Sequence, residues 1–295
     1  MVHTRTRNQT QFVVLPPSRQ SVPERFRCLE ANNRRYDDLL AEMQRFRGRV
    51  YVADGAVRPD ELTADGRHMV AVDNCSWHVL SLDEHGQVCA CLRYLEESCA
   101  VDFDDLWVRH AAMASSPMGR QFRGAVEWQM AEARRMQLGF GEVGGWAVAE
   151  DRRGSLEPLR IILATYGLLE LLGGCTGVAT ATFRHRSAMI LRRIGLASLC
   201  ADGVELPPYF DPRYGCQMEV LRFDSRFPNP RYRDWVAEFI ASLTSAPVIC
   251  PEAARPRARA VPRGFELPLP NPALLPSLVP SAWMAWQQPW ERQTP

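Results

Sequence analysis

From Tyr36 to Phe46 the chain reads YDDLLAEMQRF, which sets Leu39, Leu40, Met43 and Phe46 three or four residues apart, the period of a helix with one apolar face. The period then changes. Between Trp77 and Leu95 two apolar runs flank Asp83-Glu84-His85-Gly86, which predicts two strands joined by a tight turn. Gly124 to Leu138 returns to helical spacing, with Val126, Met130, Ala133 and Met136 on one side and Gly139 as the predicted stop. A strand from Gly141 to Ala149 follows, then an apolar helix from Leu156 to Leu172 closed by Gly173 and Gly174. A strand over Thr176 to Thr182, a helix over Ser187 to Ile194 ended by Gly195, and a strand over Cys216 to Phe223 complete the pattern. Strands that alternate with helices predict an α/β domain whose middle strands are joined through helices.

The flanks read differently. Residues 1 to 24 are polar and carry Pro and Arg, which predicts a flexible arm. From Ala246 the chain is rich in Pro and Arg, and proline removes backbone donors, so a largely disordered tail is expected over 246–295, with three tryptophans near its end. The folded unit is expected over 25–245.

Composition narrows the function classes. A chain of 295 residues that is 46% hydrophobic can bury a substantial core. A formal net charge of +1 offers no global attraction to nucleic acid, and no apolar run nears the roughly 20 residues of a membrane span. With no secretory-type leader pattern, a cytoplasmic location is expected. All 35 basic residues are arginine. Without lysine there is neither a Schiff-base nucleophile nor a P-loop of the usual form. Nine cysteines, an odd number with no C-x-x-C pair, read as buried reduced thiols, and no metal site is expected.

The one nucleotide-like motif is Gly139, Gly141 and Gly144, spaced G-x-G-x-x-G. A dinucleotide cradle needs those glycines between a strand and the helix after it, where the phosphates meet the helix N-terminus. Here they follow a helix and run into a strand, so Gly139 reads as a helix cap and Gly144-Gly145 as a strand bulge.

A bulged strand, then DRRGS, then a helix resembles the Gcn5-related (GNAT) acyltransferase fold over roughly residues 35 to 223, and FRHRSAMILRRIGL (183–196) looks like that fold's late helix. The resemblance implies a mixed central sheet with splayed strands flanked by helices. It also implies strand amides around Gly144 to Ala147 that hold a thioester carbonyl oxygen, and a helix N-terminus that receives the donor's phosphate. Two positions depart from it. The grip motif has Asp151 at its lead and Leu156 at its end, and the position of the usual tyrosine acid holds Leu191.

Within that fold the chain resembles the branch of acyl-homoserine-lactone and N-acyl amino acid synthases. VDNCSWHVLSLDEHGQVCACLRYL (72–95) looks like the branch's D-x-x-S-x-H hairpin, and EVGGWAV (142–148) like its Glu-bearing strand with Gly144-Gly145 in place of Ser-Arg. The resemblance implies Glu142 as general base, Arg93 as the anchor of an acceptor carboxylate, and Gly145 and Trp146 at the reacting thioester. Val148, Arg152, Arg153, Gly154 and Ser155 are expected at the donor's phosphate, and Asp73, Ser76 and His78 at the acceptor. Each has a plainer alternative. Glu142 could be a solvated strand-end acid, Arg93 a partner of Asp73, His78 a core histidine, Asp73 and Ser76 turn caps, and Trp146 core.

The implied function is transfer of a fatty acyl group to a small amine, an amino acid or homoserine-lactone-type acceptor. The donor would be a thioester on the phosphopantetheine of an acyl carrier protein, or acyl-CoA. Arg152, Arg153, Arg184, Arg186, Arg192 and Arg193 would attract an acidic carrier. The alternatives are a coenzyme A-dependent N-acetyltransferase and a catalytically weakened GNAT domain that serves as a binding module.

Overall fold

The computed structural model describes residues 10–98 and 101–254. The chain opens with β1 (Gln11–Leu15) and β2 (Cys28–Ala31), then α1 (Asn33–Ala53), the hairpin β3 (Trp77–Leu82) and β4 (Val88–Glu97), and α2 (Gly119–Arg135). β5 (Gly139–Val148), α3 (Glu157–Leu171), β6 (Cys175–Thr182) and α4 (Ser187–Ile194) form the alternating centre. Short strands β7 (Ala197–Ser198), β8 (Cys200–Ala201), β9 (Val204–Glu205) and β10 (Tyr209–Asp211) lead into β11 (Cys216–Asp224), α5 (Arg233–Ser245) and β12 (Pro247–Cys250). The main sheet runs β10-β11-β6-β5-β4-β3-β1-β12-β2, with β7 beside β11. β5 and β6 are parallel and β4 and β5 antiparallel, so the sheet is mixed and α/β as expected.

Alternation along the central strands assigns each face. Val79 and Leu92 point into the core built by α3, α4 and α5, whereas Leu80 and Cys91 point into the core under α1. A third cluster lies under α2, with Phe122, Val126 and Met130 against Phe140 and Val178. Helices on both faces leave β3 buried along its whole length. α1 starts at Asn32, whose side chain accepts from the Arg35 N–H at 3.0 Å, and its stripe of Tyr36, Leu39, Leu40, Met43 and Phe46 is the one the spacing predicts.

Three boundaries differ from the sequence reading. Residues 1–24 do not behave throughout as an arm, because Gln11–Leu15 forms five register pairs with β3, and Phe12 to Leu15 are buried. The expected tail contains β12, which fits between β1 and β2, both parallel to it; its apolar Val248, Ile249 and Cys250 are fully buried. Proline at the first position of that strand is tolerated because the rest of the segment supplies the ladder donors. The rest of the tail, with its three tryptophans, lies outside the described residues. α2 ends at Arg135 rather than at Gly139. Gln137 takes the left-handed conformation there (φ 54°), and Gly139 is already the first residue of β5. Cys28 and Cys75 are exposed rather than buried; Cys89, Cys91, Cys175 and Cys250 are buried, and all the described cysteines are unbridged.

Candidate active site

β5 changes phase in its middle. The β4–β5 register runs Arg93↔Gly144 and then Cys91↔Ala147, so three steps on β5 match two on β4, which is a bulge. Gly145 takes φ +63°, a conformation that disfavours any residue with a Cβ. Without the bulge Trp146 would lie on the same face as Glu142. With it, Trp146 packs against the α3 core and Ala147 against the α1 core, while Gly144 and Gly145 both lie against arginines. The parallel ladder of β5 with β6 ends at Val143↔Ala179, although β5 continues to Val148 and β6 to Thr182. The two strands splay there, and the β5 amides from Gly144 onward have no ladder partner on β6.

Beneath the bulge, on the α1 and α2 face, lies a buried polar partition. Asp73 is 1% exposed and accepts from Arg47 Nη1 at 3.0 Å and Nη2 at 2.7 Å, from Gln44 Nε2 at 3.0 Å and from the Val70 N–H at 3.0 Å. Burial would raise its pKa, but the Arg47 guanidinium overrides that and holds the carboxyl at about 2. Ser76 donates to the Val72 carbonyl at 2.6 Å, and His78 Nε2 lies 2.9 Å from the Asp73 carbonyl. Burial lowers the His78 pKa to about 4, so its ring is neutral at pH 7. The three residues expected at the acceptor thus engage their polar atoms within the chain: Asp73 with α1 and the Val70 N–H, Ser76 with the Val72 carbonyl, and His78 with the Asp73 carbonyl.

Arg93 is 5% exposed. Its Nη1 is 3.7 Å from Asp73 Oδ1 and its Nη2 is 3.5 Å from where a Cβ on Gly144 would stand. Its Nε is buried without a hydrogen-bond partner among the described residues. Burial, and then the neighbouring Arg47 charge, lower its pKa, although a guanidinium stays charged. Glu142, also 5% exposed, accepts from the main-chain N–H groups of Trp107 and Val108, each at 2.6 Å. These are the first amides of a 3-10 turn (Trp107–His110), so Glu142 caps it and ties the segment before α2 to the sheet. Burial raises the Glu142 pKa and the two N–H groups oppose the rise. Glu97 on β4 lies beside it, and burial together with the Glu142 charge pushes Glu97 up to about 8. With Glu97 neutral, Arg47 and Arg93 balance Asp73 and Glu142 in charge.

The residues expected at the donor's phosphate sit in a different setting. Val148 is buried, Gly154 and Ser155 are exposed, and the Ser155 hydroxyl accepts from the Glu157 N–H at 3.0 Å at the start of α3. Arg153 does not face solvent freely. Its Nη1 and Nη2 donate to Asp54 Oδ1 and Oδ2 at 2.8 and 3.0 Å, and its Nε donates to the Val148 carbonyl at 3.3 Å. Arg152 lies 3.8 Å from Glu84. Of the other arginines in the expected patch, Arg184 donates to the Asp54 and Tyr214 carbonyls, and Arg192 is paired with Glu219. Arg186 and Arg193 are the exposed ones.

Gln44, Arg47, Tyr51 and Asp54 were not singled out from sequence. They stand three or four residues apart on α1 and its cap, a polar line beside the apolar stripe, and that spacing is the signal that could have found them. Tyr51 donates to the Trp146 carbonyl at 3.3 Å, so this line reaches the bulge itself.

No family model matches the sequence, and no curated protein sequence matches it. Among solved structures, a CoA-dependent acyl-homoserine lactone synthase, BjaI, with MTA, is similar at a TM-score of 0.51, with 14% identity, over 84% of this chain and 95% of that one. Another synthase described in the same terms, MesI, is similar at 0.47, with 14% identity over 78% and 95% of the two chains. FeeM, an N-acyl amino acid synthase from uncultured soil microbes, is similar at 0.40, with 14% identity over 74% and 93%. The first likeness is one of fold. The chain has the acyl-CoA N-acyltransferase fold.

Proposed function

We propose that the chain is an N-acyltransferase that moves an acyl group from a thioester donor to the amine of a small, carboxylate-bearing acceptor such as an amino acid. The observation that carries this reading is the splay of β5 from β6 beyond Val143↔Ala179, beside the Gly144-Gly145 bulge and within a fold shared with a CoA-dependent acyl-homoserine lactone synthase. Fixed amides on a strand that has lost its neighbour are preorganised donors for a developing oxyanion. The amine nitrogen attacks the thioester carbon, the N–C bond forms, the C–S bond breaks, and the proton lost by nitrogen ends on the departing thiolate.

In this reading the amides from Gly145 to Ala147 hold the carbonyl oxygen, and Trp146 forms the wall on the α3 side. Arg93, a buried cation with an unpartnered Nε, anchors the acceptor carboxylate. Asp73, Ser76 and His78 position Arg47 and the hairpin instead of touching substrate. Glu142 holds Trp107 and Val108; as a general base it would give up one of those bonds, and Glu142→Gln separates the two roles. Val148 and the loop from Arg152 to Ser155 border the donor, a coenzyme A or carrier-protein thioester. The engaged state of Arg153, Arg184 and Arg192 leaves a smaller basic surface for a carrier than the sequence implies.

The test is amine-dependent thiol release by the purified chain with acyl-CoA and acyl-carrier donors against a panel of amino acids, with mass spectrometry of the products. N-acyl products that need both substrates support the reading. A folded chain that releases no thiol in response to any amine, with either donor, overturns it in favour of a binding module.

A further inference from the structure

Asp54 caps the C-terminus of α1 and reaches both sides of the splay at once. Its carboxylate takes the fork of Arg153, which follows β5, and its Oδ1 also lies 3.2 Å from Nε2 of His185, which follows β6. Its carbonyl accepts from Arg184, next to His185. The β6 arm is set by backbone that few residues adopt, since His185 (φ 54°) and Arg186 (φ 61°) are both left-handed. A cavity of about 540 Å³ opens beside these groups, lined in part by Arg49, Asp54, Glu150, Arg152, Arg153 and His185. A carboxylate in the fork of Arg153 presents the same two-oxygen edge that a phosphate would.

We propose that Asp54 is a cross-cleft clamp that sets donor affinity: a phosphate-bearing donor must exchange the Asp54–Arg153 pair for a phosphate–Arg153 pair to seat between the strand ends. The inference rests on the thioester-donor reading above. Asp54 therefore tunes the site towards weak, releasable binding, and the acids Glu150 and Asp54 around one cavity disfavour a donor with several phosphates more than a donor with one.

The test is calorimetric titration with coenzyme A and with 4′-phosphopantetheine of the full chain, Asp54→Asn and Asp54→Asn/Arg153→Ala. Removing the competing carboxylate from this partly buried pair should tighten coenzyme A binding about three- to tenfold, and the second substitution should cancel the gain. Equal or weaker binding by Asp54→Asn, with an unchanged melting curve, overturns the clamp and leaves the donor reading standing. Binding of neither ligand by any of the chains overturns the donor reading and the clamp with it. Hydrogen exchange on the unaltered chain gives an answer that needs no variant. Coenzyme A should speed exchange at residues 54–57, whereas bound ligand with unchanged or slower exchange there counts against the clamp.

Discussion

Glu142→Gln is expected to destabilise the chain first and slow any chemistry second. The Glu142 carboxylate accepts two main-chain N–H bonds of 2.6 Å, from Trp107 and Val108. A glutamine offers one carbonyl oxygen and turns its NH₂ towards the other amide. One buried donor is then unsatisfied, at roughly 1–3 kcal/mol, and the remaining bond loses its charge assistance, about 1 kcal/mol more. Relief of Glu97, which no longer faces a buried charge, offsets a fraction of this. Before that offset the cost is about 2–4 kcal/mol and the net lies towards the lower end, still a large share of the roughly 5–15 kcal/mol that holds a domain folded. Urea denaturation at pH 7 should show a lower midpoint at constant slope. Hydrogen exchange should rise roughly 30-fold or more at residues 107–115, the factor that 2 kcal/mol represents. If stability and exchange are unchanged while amine-dependent thiol release falls by two orders of magnitude, the tie is refuted and Glu142 is the base.

Three further outcomes follow from the same partition. Glu97 has its folded pKa raised to about 8, so its contribution is present below roughly pH 4, where the unfolded carboxyl is also protonated, and is lost as pH rises towards 8. Stability should therefore fall between pH 5 and pH 8 by at least about 1 kcal/mol more in the wild type than in Glu97→Gln; parallel losses would contradict the raised Glu97 pKa. Asp73→Asn leaves the buried Arg47 uncompensated and should cost about 3–5 kcal/mol by denaturation, a figure that a loss under 1 kcal/mol would rule out. Gly145→Ala places a Cβ 3.3 Å from Arg93 Cβ and 3.4 Å from Arg47 Nη1 at φ +63°, and should lower stability by about 1–2 kcal/mol; an unchanged melting temperature would show that the bulge relaxes.

Much of the fold was legible because its signals are local. The Leu39-Leu40-Met43-Phe46 stripe, the Asp83–Gly86 turn, the Gly173-Gly174 stop and the Ser187–Ile194 helix each lie within one or two turns of chain, and the structure has all four. The elements that were missed lack such signals. β1 and β12 are five- and four-residue strands of mostly apolar residues, and β12 pairs with β1 and β2 across more than 200 residues of sequence, which no window of composition reports. The proline-rich surroundings of β12 pointed the other way.

The sequence by itself determined the alternating α/β order, the inverted context of the glycine motif, the bulge at Gly144-Gly145 and the types of residue available for chemistry, because periodicity and glycine act over short distances. The tertiary structure decided what those residues do. It turned Asp73, Ser76 and His78 inward onto Arg47 and Val72, gave Glu142 two amides from a segment 34 and 35 residues away, and set Asp54 against an arginine 99 residues distant. The physical reason is that a buried polar group must find a partner wherever the fold brings one. That partner, more than the residue type, sets whether a carboxylate holds a turn, closes a cleft or takes a proton.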